Sequence, residues 1–437
     1  MMNRMLFAFL MLPSAALAQQ PTEAMPVVTL AEARRRSASI DPDAVAARSR
    51  LETASWERRT ALTNLITPTV RMTTTYTHFS EPFFNFGTAG ISPNAASATL
   101  DANFAILGFG KFGALKSARA SVESAEALET VSRFRTALET DAAYFAVLAD
   151  KELSRVAADR VRRAEEALAI ARVRVVSGER VSSDSLQLLL EASRARLGVL
   201  SMDSALTASR LRLGRRIGLL GPAEAAPVDT LLPPQLPMTR DQAIAEMRAR
   251  GPDVEAARAQ EKSANAVVMA ERERYLPEVN IGATAGRYDT ELFPSALKRN
   301  QWNISVGLPI WNGGVRELAV ARARADRSVA AATRLDLERA AAEVMGQAYH
   351  GYLTARGGID LASIGVAAAT ENYRVQNARY REGATTILDL LEAQVALSEA
   401  QAALIRARYS SRLSLAQIEA LLGRRIFETS TPNVRRD

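Results

Sequence analysis

The 437-residue chain is poor in the side chains that carry covalent or metal chemistry. It has no cysteine, which removes thiol nucleophiles, disulfide frameworks, Cys-zinc and iron–sulfur sites, and a lipid-modified N-terminal cysteine. His78 and His350 are the only histidines, too few for a histidine-built metal centre or acid–base relay. Gly108-Phe109-Gly110-Lys111 lacks the spacing and the hydroxyl of a phosphate-binding loop, and no G-x-S-x-G elbow is present. An enzyme is therefore the least supported class, and no cofactor or metal is expected. What remains is electrostatics at two chain reversals. Arg174 to Gly178 and Arg379 to Gly383 repeat an Arg-x-x-x-Gly pattern, a cation on the last turn of a helix and a glycine that allows the chain to turn. Just past the second reversal, Leu388 and Glu392 stand four apart on one helical face with Asp389 beside them. The first copy offers Ser183, Gln187 and Asp184 there. Around a three-fold axis such positions become an apolar collar and a carboxylate ring, which close a mouth and prefer cations.

The elements that position these turns come from a duplication. Thr29, Ala33, Pro42-Asp43 and Ala46-Ala47-Arg48 recur 210 residues later as Thr239, Ala243, Pro252-Asp253 and Ala256-Ala257-Arg258. Leu213-Gly214-Arg215-Arg216-Ile217 returns as Leu422-Gly423-Arg424-Arg425-Ile426. Each unit reads as a helix (29 to 64; 239 to 275), a strand pair, a very long helix (113 to 176; 315 to 381), a Gly turn, and a last helix (182 to 216; 385 to 423). Sevenfold apolar recurrence, as in Val131, Leu138 and Phe145, is coiled-coil grammar. The two shorter helices together match the long one, so they pair along it end to end. The boundaries expected are 1–18 signal peptide, 19–218 first repeat, 219–238 proline-rich linker, 239–426 second repeat and 427–437 C-terminal tail. The signal rests on Arg4, the apolar run Leu6 to Leu12 and the small-x-small site Ala16-Leu17-Ala18. Net charge is +7, nearly all of it Arg. In an exported chain that excess belongs to solvated helix faces and not to a nucleic-acid partner.

In four windows the period changes to two. Strands are expected at about 66–79 and 97–107 in the first repeat and 277–288 and 300–311 in the second, each apolar on one side and polar on the other. Ser80 to Ala96 and Asp289 to Arg299 read as outward loops. Thirteen of the 25 aromatic residues fall between 76 and 112 or between 275 and 311, and Tyr76, Phe79 and Trp302 suit an interfacial girdle. With the helices committed to one another, the apolar strand face is left for lipid. Four strands do not close a membrane barrel, and eight leave no bore; three chains supply twelve strands around a lumen. The fold class expected is mainly α with a membrane β-barrel portion: two tandem repeats of helix, β-hairpin and long helical hairpin, trimerising into a 12-stranded barrel and a periplasmic helical tunnel.

The motifs resemble those of the TolC family of outer-membrane efflux proteins over the whole mature chain. ARYREGATTILDLLEAQVALSEAQAAL, Ala378 to Leu404, resembles the family's second hairpin tip, and VGLPIWNGGVR, Val306 to Arg316, its strand-to-helix junction. The first repeat departs there, reading FAILGFGK with Ala105 in place of the proline. The resemblance implies a passive exit duct of a tripartite efflux or type I secretion system, in the outer membrane with a helical part in the periplasm. It implies a homotrimer in contact with outer-membrane lipid, a periplasmic adaptor and an inner-membrane pump of the RND or ABC type. It also implies a periplasmic gate at Leu388, Asp389, Glu392 and Asp184, and adaptor-docking tips at Arg174, Gly178, Arg379 and Gly383. The residues do not separate drug, metal and protein cargoes, although His and Met are not clustered at the strands or tips, which mildly disfavours a dedicated copper or silver route. The alternative class is a periplasmic coiled-coil adaptor or scaffold, which would need a single hairpin flanked by small β-domains.

Overall fold

Proline decides where the second helix of each repeat begins. The computed structural model describes residues 25–85, 89–177, 182–228, 235–291, 293 and 297–427; the expected signal peptide and all of the expected tail beyond Phe427 lie outside them. In chain order the elements are β1 (Val27–Val28), α1 (Leu30–Ile40), α2 (Pro42–Ile66), β2 (Thr69–Asn85), β3 (Gly90–Gly108), α3 (Phe109–Val176) and α4 (Ser182–Arg216). They continue with β4 (Glu224–Ala225), α5 (Arg240–Arg250), α6 (Pro252–Glu273), β5 (Glu278–Asp289), β6 (Leu297–Gly307), α7 (Val315–Arg381) and α8 (Ile387–Leu422). The first helix of each repeat, expected to be continuous, is broken before Pro42 and before Pro252, each of which starts a new helix where its missing N–H costs nothing. Asp41 caps α2, accepting from the N–H groups of Asp43 and Ala44 at 3.0 and 3.4 Å. Gly251 stands in its place in the second repeat and caps without a side chain.

The segment expected as a plain linker is built into the core. Glu224-Ala225 pairs in parallel with Val27-Val28, and Ala223 and Ala225 are fully buried. Tyr144 of α3 donates its hydroxyl to the carbonyl of Ala226 at 2.7 Å and also approaches that of Val28 at 3.3 Å. Its repeat mate Tyr349 does the same to Met238 at 3.0 Å. Glu224 is tied to Lys151 at 2.8 Å and to Arg210.

The 68-residue α3 and the 67-residue α7 run the length of the helical part. Toward the strands the neighbours follow the order α2, α3, α6, α7; toward the Gly turns the order is α4, α3, α8, α7. Small side chains let α3 and α4 approach closely, with Ala164, Ala167, Ala171, Ala192 and Ala195 buried between them and α8. No described helix is long and apolar enough to cross a membrane.

The four long strands form one antiparallel sheet in the order β2-β3-β5-β6, so the central β3–β5 pairing joins the repeats. Thr69, Asn103, Gly282 and Asn303 fall in one cross-strand row, Arg71, Asp101, Thr284 and Gln301 in the next row of that face, and Thr284 donates to Asp101 at 2.6 Å. The opposite face carries Val70, Met72, Leu100, Trp302, Ile304 and Val306, all exposed. The first hairpin is longer than expected: most of Ser80 to Ala96 is strand. Its prolines are absorbed at an irregularity, where residues 79–82 oppose Pro93 between the pairs His78–Asn94 and Phe83–Ser92, and no ladder donor is required of Pro82. β6 stops at Gly307, ahead of the expected end, because Pro309 follows.

Each junction of sheet and long helix is held by a cation. Lys111 donates to the carbonyls of Asn64 at 2.7 Å and Ala105 at 3.3 Å, so the first repeat replaces the missing proline turn by a tether. Arg316 donates to the carbonyls of Pro309 at 2.9 Å and Ile310 at 3.2 Å and lies 4.5 Å over the Tyr275 ring. Gly313 and Gly314, with φ of +71° and +83°, make the turn between them.

Candidate functional site at the hairpin tips

At the end remote from the sheet, α3 turns into α4 and α7 into α8. The second turn closes as the sequence motif requires. Gly383 has φ of +79°; its N–H and that of Ala384 return to the carbonyls of Tyr380 and Arg379 at 3.1 and 2.8 Å, a Schellman cap. Thr386 then starts α8 with a reciprocal capping box. Its hydroxyl accepts from Asp389 N–H at 3.3 Å, while the Asp389 carboxylate accepts from Thr386 N–H at 3.1 Å. The hydroxyls of Thr386 and Thr385 reach the same carboxylate oxygen at 2.6 and 2.8 Å. These bonds, led by Thr386, hold the Asp389 carboxyl below the usual range, so it is an anion that is already engaged.

Leu388 and Glu392 are exposed on one side of α8, Leu388 to 64%, while Ile387 and Leu390 are buried on the other. The structure thus places Leu388 and Glu392 on one exposed side of α8 and takes Asp389 into the cap. Asp184 sits half-buried in the first turn of α4. Arg379 is exposed beside the second turn. Gly178 lies outside the described residues.

Arg174 does something its local sequence does not announce. Its guanidinium reaches across to the last turn of α7, donating to the carbonyl of Tyr380 at 2.8 Å, which also accepts from Gly383 N–H, and to that of Arg381. The tips are also fused by packing: Leu168 and Ala171 of α3, Leu188 of α4, Tyr380 of α7 and Ile387 and Leu390 of α8 share one core. About three turns above Arg174, Arg163 of α3 donates to Ser398 of α8 at 3.1 Å and lies 5.8 Å from the Tyr373 ring, and Gln394 is 1% exposed beside them. Burial pulls the Arg163 guanidinium down from its ordinary range. The joint between the two hairpins is therefore apolar at the tips and polar above them, and sequence reasoning missed the polar part: an Arg or Gln within a polar-rich helix carries no mark of which helix lies opposite.

The tips set exposed charge beside an exposed apolar side chain. A family model described as outer membrane efflux protein matches residues 29–219 and 243–424. The pyoverdine export outer membrane protein OpmQ of Pseudomonas putida is 29% identical over 292 residues, 63% of this chain and 58% of that protein, so the match spans less than two thirds of the relative. Among solved structures, CmeC of Campylobacter jejuni superposes with a TM-score of 0.78 at 17% identity, over 92% of this chain and 87% of that one. VceC of Vibrio cholerae gives 0.72 at 19%, over 90% and 96%. The open state of Neisseria gonorrhoeae MtrE gives 0.73 at 19%, over 92% and 91%. At these identities the structural likeness fixes the fold.

Proposed function

Because this chain belongs to the outer membrane efflux protein family, we propose that it is the passive exit duct of a tripartite export system, a homotrimer whose β-sheets close into one barrel and whose helices continue it into the periplasm. The observation that carries the reading is that both layers end in open edges. Among the described residues the sheet leaves β2 and β6 unpaired outward, and toward the Gly turns the helical layer leaves α4 and α7 at its edges. An open strand edge is a hazard unless another chain pairs with it. On the outer side of α4 the exposed Leu186, Leu190, Leu197, Leu200 and Leu211 fall on a seam of alternating four- and three-residue steps. On α7 the exposed Leu353, Leu361, Ile364 and Val375 form its counterpart. These are different surfaces of one chain, so joining them is head-to-tail, and at a rotation of about 120° per copy it closes a three-membered ring.

In that ring the apolar sheet face meets lipid and the row of Arg71, Asp101, Thr284 and Gln301 lines the bore. The tips face the periplasm, where Leu388 and Glu392 form a collar and a carboxylate ring, and Arg379 and Gly383 present the second turn to an adaptor. Energy comes from an inner-membrane pump. The named relative supports a small organic cargo. Single-channel conductance in planar bilayers tests the reading. Wild-type protein should give small, cation-preferring openings, Leu388→Ser should widen them several-fold, and Glu392→Gln should remove the cation preference. Absence of conductance from folded protein would overturn the duct; conductance indifferent to both changes would keep the duct and discard the gate.

A further inference from the structure

On the apolar face of the sheet the cross-strand register sets two cations directly opposite each other. Arg287 of β5 pairs with Lys298 of β6, in a row completed by Thr74 and Ala98. Counting by two along each strand, Arg287 shares its side with the exposed Ala285 and Ala283, and Lys298 shares its side with Asn300 and the exposed Trp302 and Ile304, so both stand on the largely apolar face. Both are exposed, and among the described residues neither has an ion-pair or hydrogen-bond partner. Directly opposed like charges about 5 Å apart at Cβ destabilise a strand pair. An anion seated between them reverses the sign of that term, because a phosphate accepts from the Arg fork and the Lys ammonium together.

Their depth tells which anion. From Lys298 to Val306 the strand spans roughly 27 Å at about 3.4 Å per residue, or about 21 Å along the membrane normal at a tilt of about 40°, against the roughly 25 Å apolar band of a membrane barrel. The pair lies at the end remote from the helices, and Tyr76, one row further out on the same face, is placed as an interfacial aromatic. The nearest carboxylate on that face, Asp289, is also one row out and accepts the N–H of Thr290 at 2.7 Å.

We infer that Arg287 and Lys298 form a binding site for the phosphate of an outer-leaflet glycolipid, one site per chain on the lipid-facing wall. The inference rests on the reading that this face meets lipid, and the test separates the two. Full-length protein is reconstituted in nanodiscs containing bisphosphorylated lipid A, in others containing the same lipid dephosphorylated, and in phosphate-free buffer with or without millimolar inorganic phosphate. Lipid retained per chain is read by native mass spectrometry, and conductance is measured on the same preparations. Retention of the phosphorylated lipid should fall about tenfold in R287Q/K298Q and persist in the charge-keeping R287K/K298R. It should be insensitive to inorganic phosphate and absent for the dephosphorylated lipid. Equal retention by wild type and R287Q/K298Q in a conducting channel would overturn the site while leaving the duct intact. Displacement by inorganic phosphate would overturn the lipid as its ligand. A protein that neither inserts nor conducts would overturn the membrane reading and the site with it.

Discussion

Thr386 and Asp389 trade hydrogen bonds at the start of α8, so the residue beside the proposed gate is structural before it is electrostatic. Thr386→Ala should cost about 1 kcal/mol, the usual value of a lost N-cap, read as a lower thermal midpoint with little change in ion preference. Because the folded carboxyl of Asp389 is held below its unfolded value, its contribution is present above the unfolded pKa of about 4 and is lost as pH falls through the folded one. Thermal midpoints of wild type and Asp389→Asn should therefore converge as acid is added. Arg174→Gln removes the charged fork from the carbonyls of Tyr380 and Arg381 and should raise single-channel conductance by freeing one tip from the other. At this scale residue types were legible: Arg before Gly announced a helix end and a left-handed turn, and Gly383 supplies it. Partners were not. Whether Arg174 serves α3 or α7 depends on the approach of a helix 206 residues away, which no local spacing encodes.

The repeated Leu-Gly-Arg-Arg-Ile segment shows how one motif serves two elements differently. In the first repeat Gly214 is still helical, and a Cβ there would lie 2.0 Å from the carbonyl oxygen of Gly221, so the glycine is what lets the returning chain cross α4. In the second, Gly423 has left the helix with φ of +70° and caps α8. The arginines diverge as well: Arg216 meets Asp41 at 2.5 Å, whereas Arg424 meets Glu246 at 2.5 Å and Arg425 meets Glu419 at 2.7 Å. Gly214→Ala should lower stability by about 1–3 kcal/mol, the range for overpacking, measured by thermal or denaturant unfolding. The returning chain also carries a titration. Burial opposes ionisation of Glu224, but its bonds to Lys151 and Arg210 outweigh it and depress the carboxyl. That stabilisation is complete above the unfolded pKa of about 4.3 and fades as pH drops through the folded value. Wild type should thus lose thermal stability below about pH 4.3 more steeply than Glu224→Gln. The long helices were legible nearly to the residue because their period, small core residues and glycine ends agree. The helix breaks were missed although Pro42 and Pro252 were in view, because apolar period alone joined the helices across them. The five prolines from 222 to 237 ruled out helix there and hid a strand short enough to fit between them.

Across the whole molecule, duplication and the alternation of the strands were readable, since both are patterns of residue type. The reach of the first hairpin was not, because Pro82 and Pro93 read as loop until a bulge is allowed for. The open edges became visible only when each helix had been assigned its neighbours. If α4 and α7 seal against copies of one another, the detergent-solubilised protein should run at about three times its chain mass, and Leu190→Asp with Leu197→Asp should shift it toward single chains, by light scattering coupled to size-exclusion chromatography. That head-to-tail seam has a genetic consequence. Chains drawn from a mixed pool assemble without regard to the state of their tips, so when half the pool carries a jammed gate only about one ring in eight is wholly intact. Tip variants should consequently be dominant over a wild-type copy in the same cell, whereas variants of the α4 or α7 seam, which never join a ring, should be recessive.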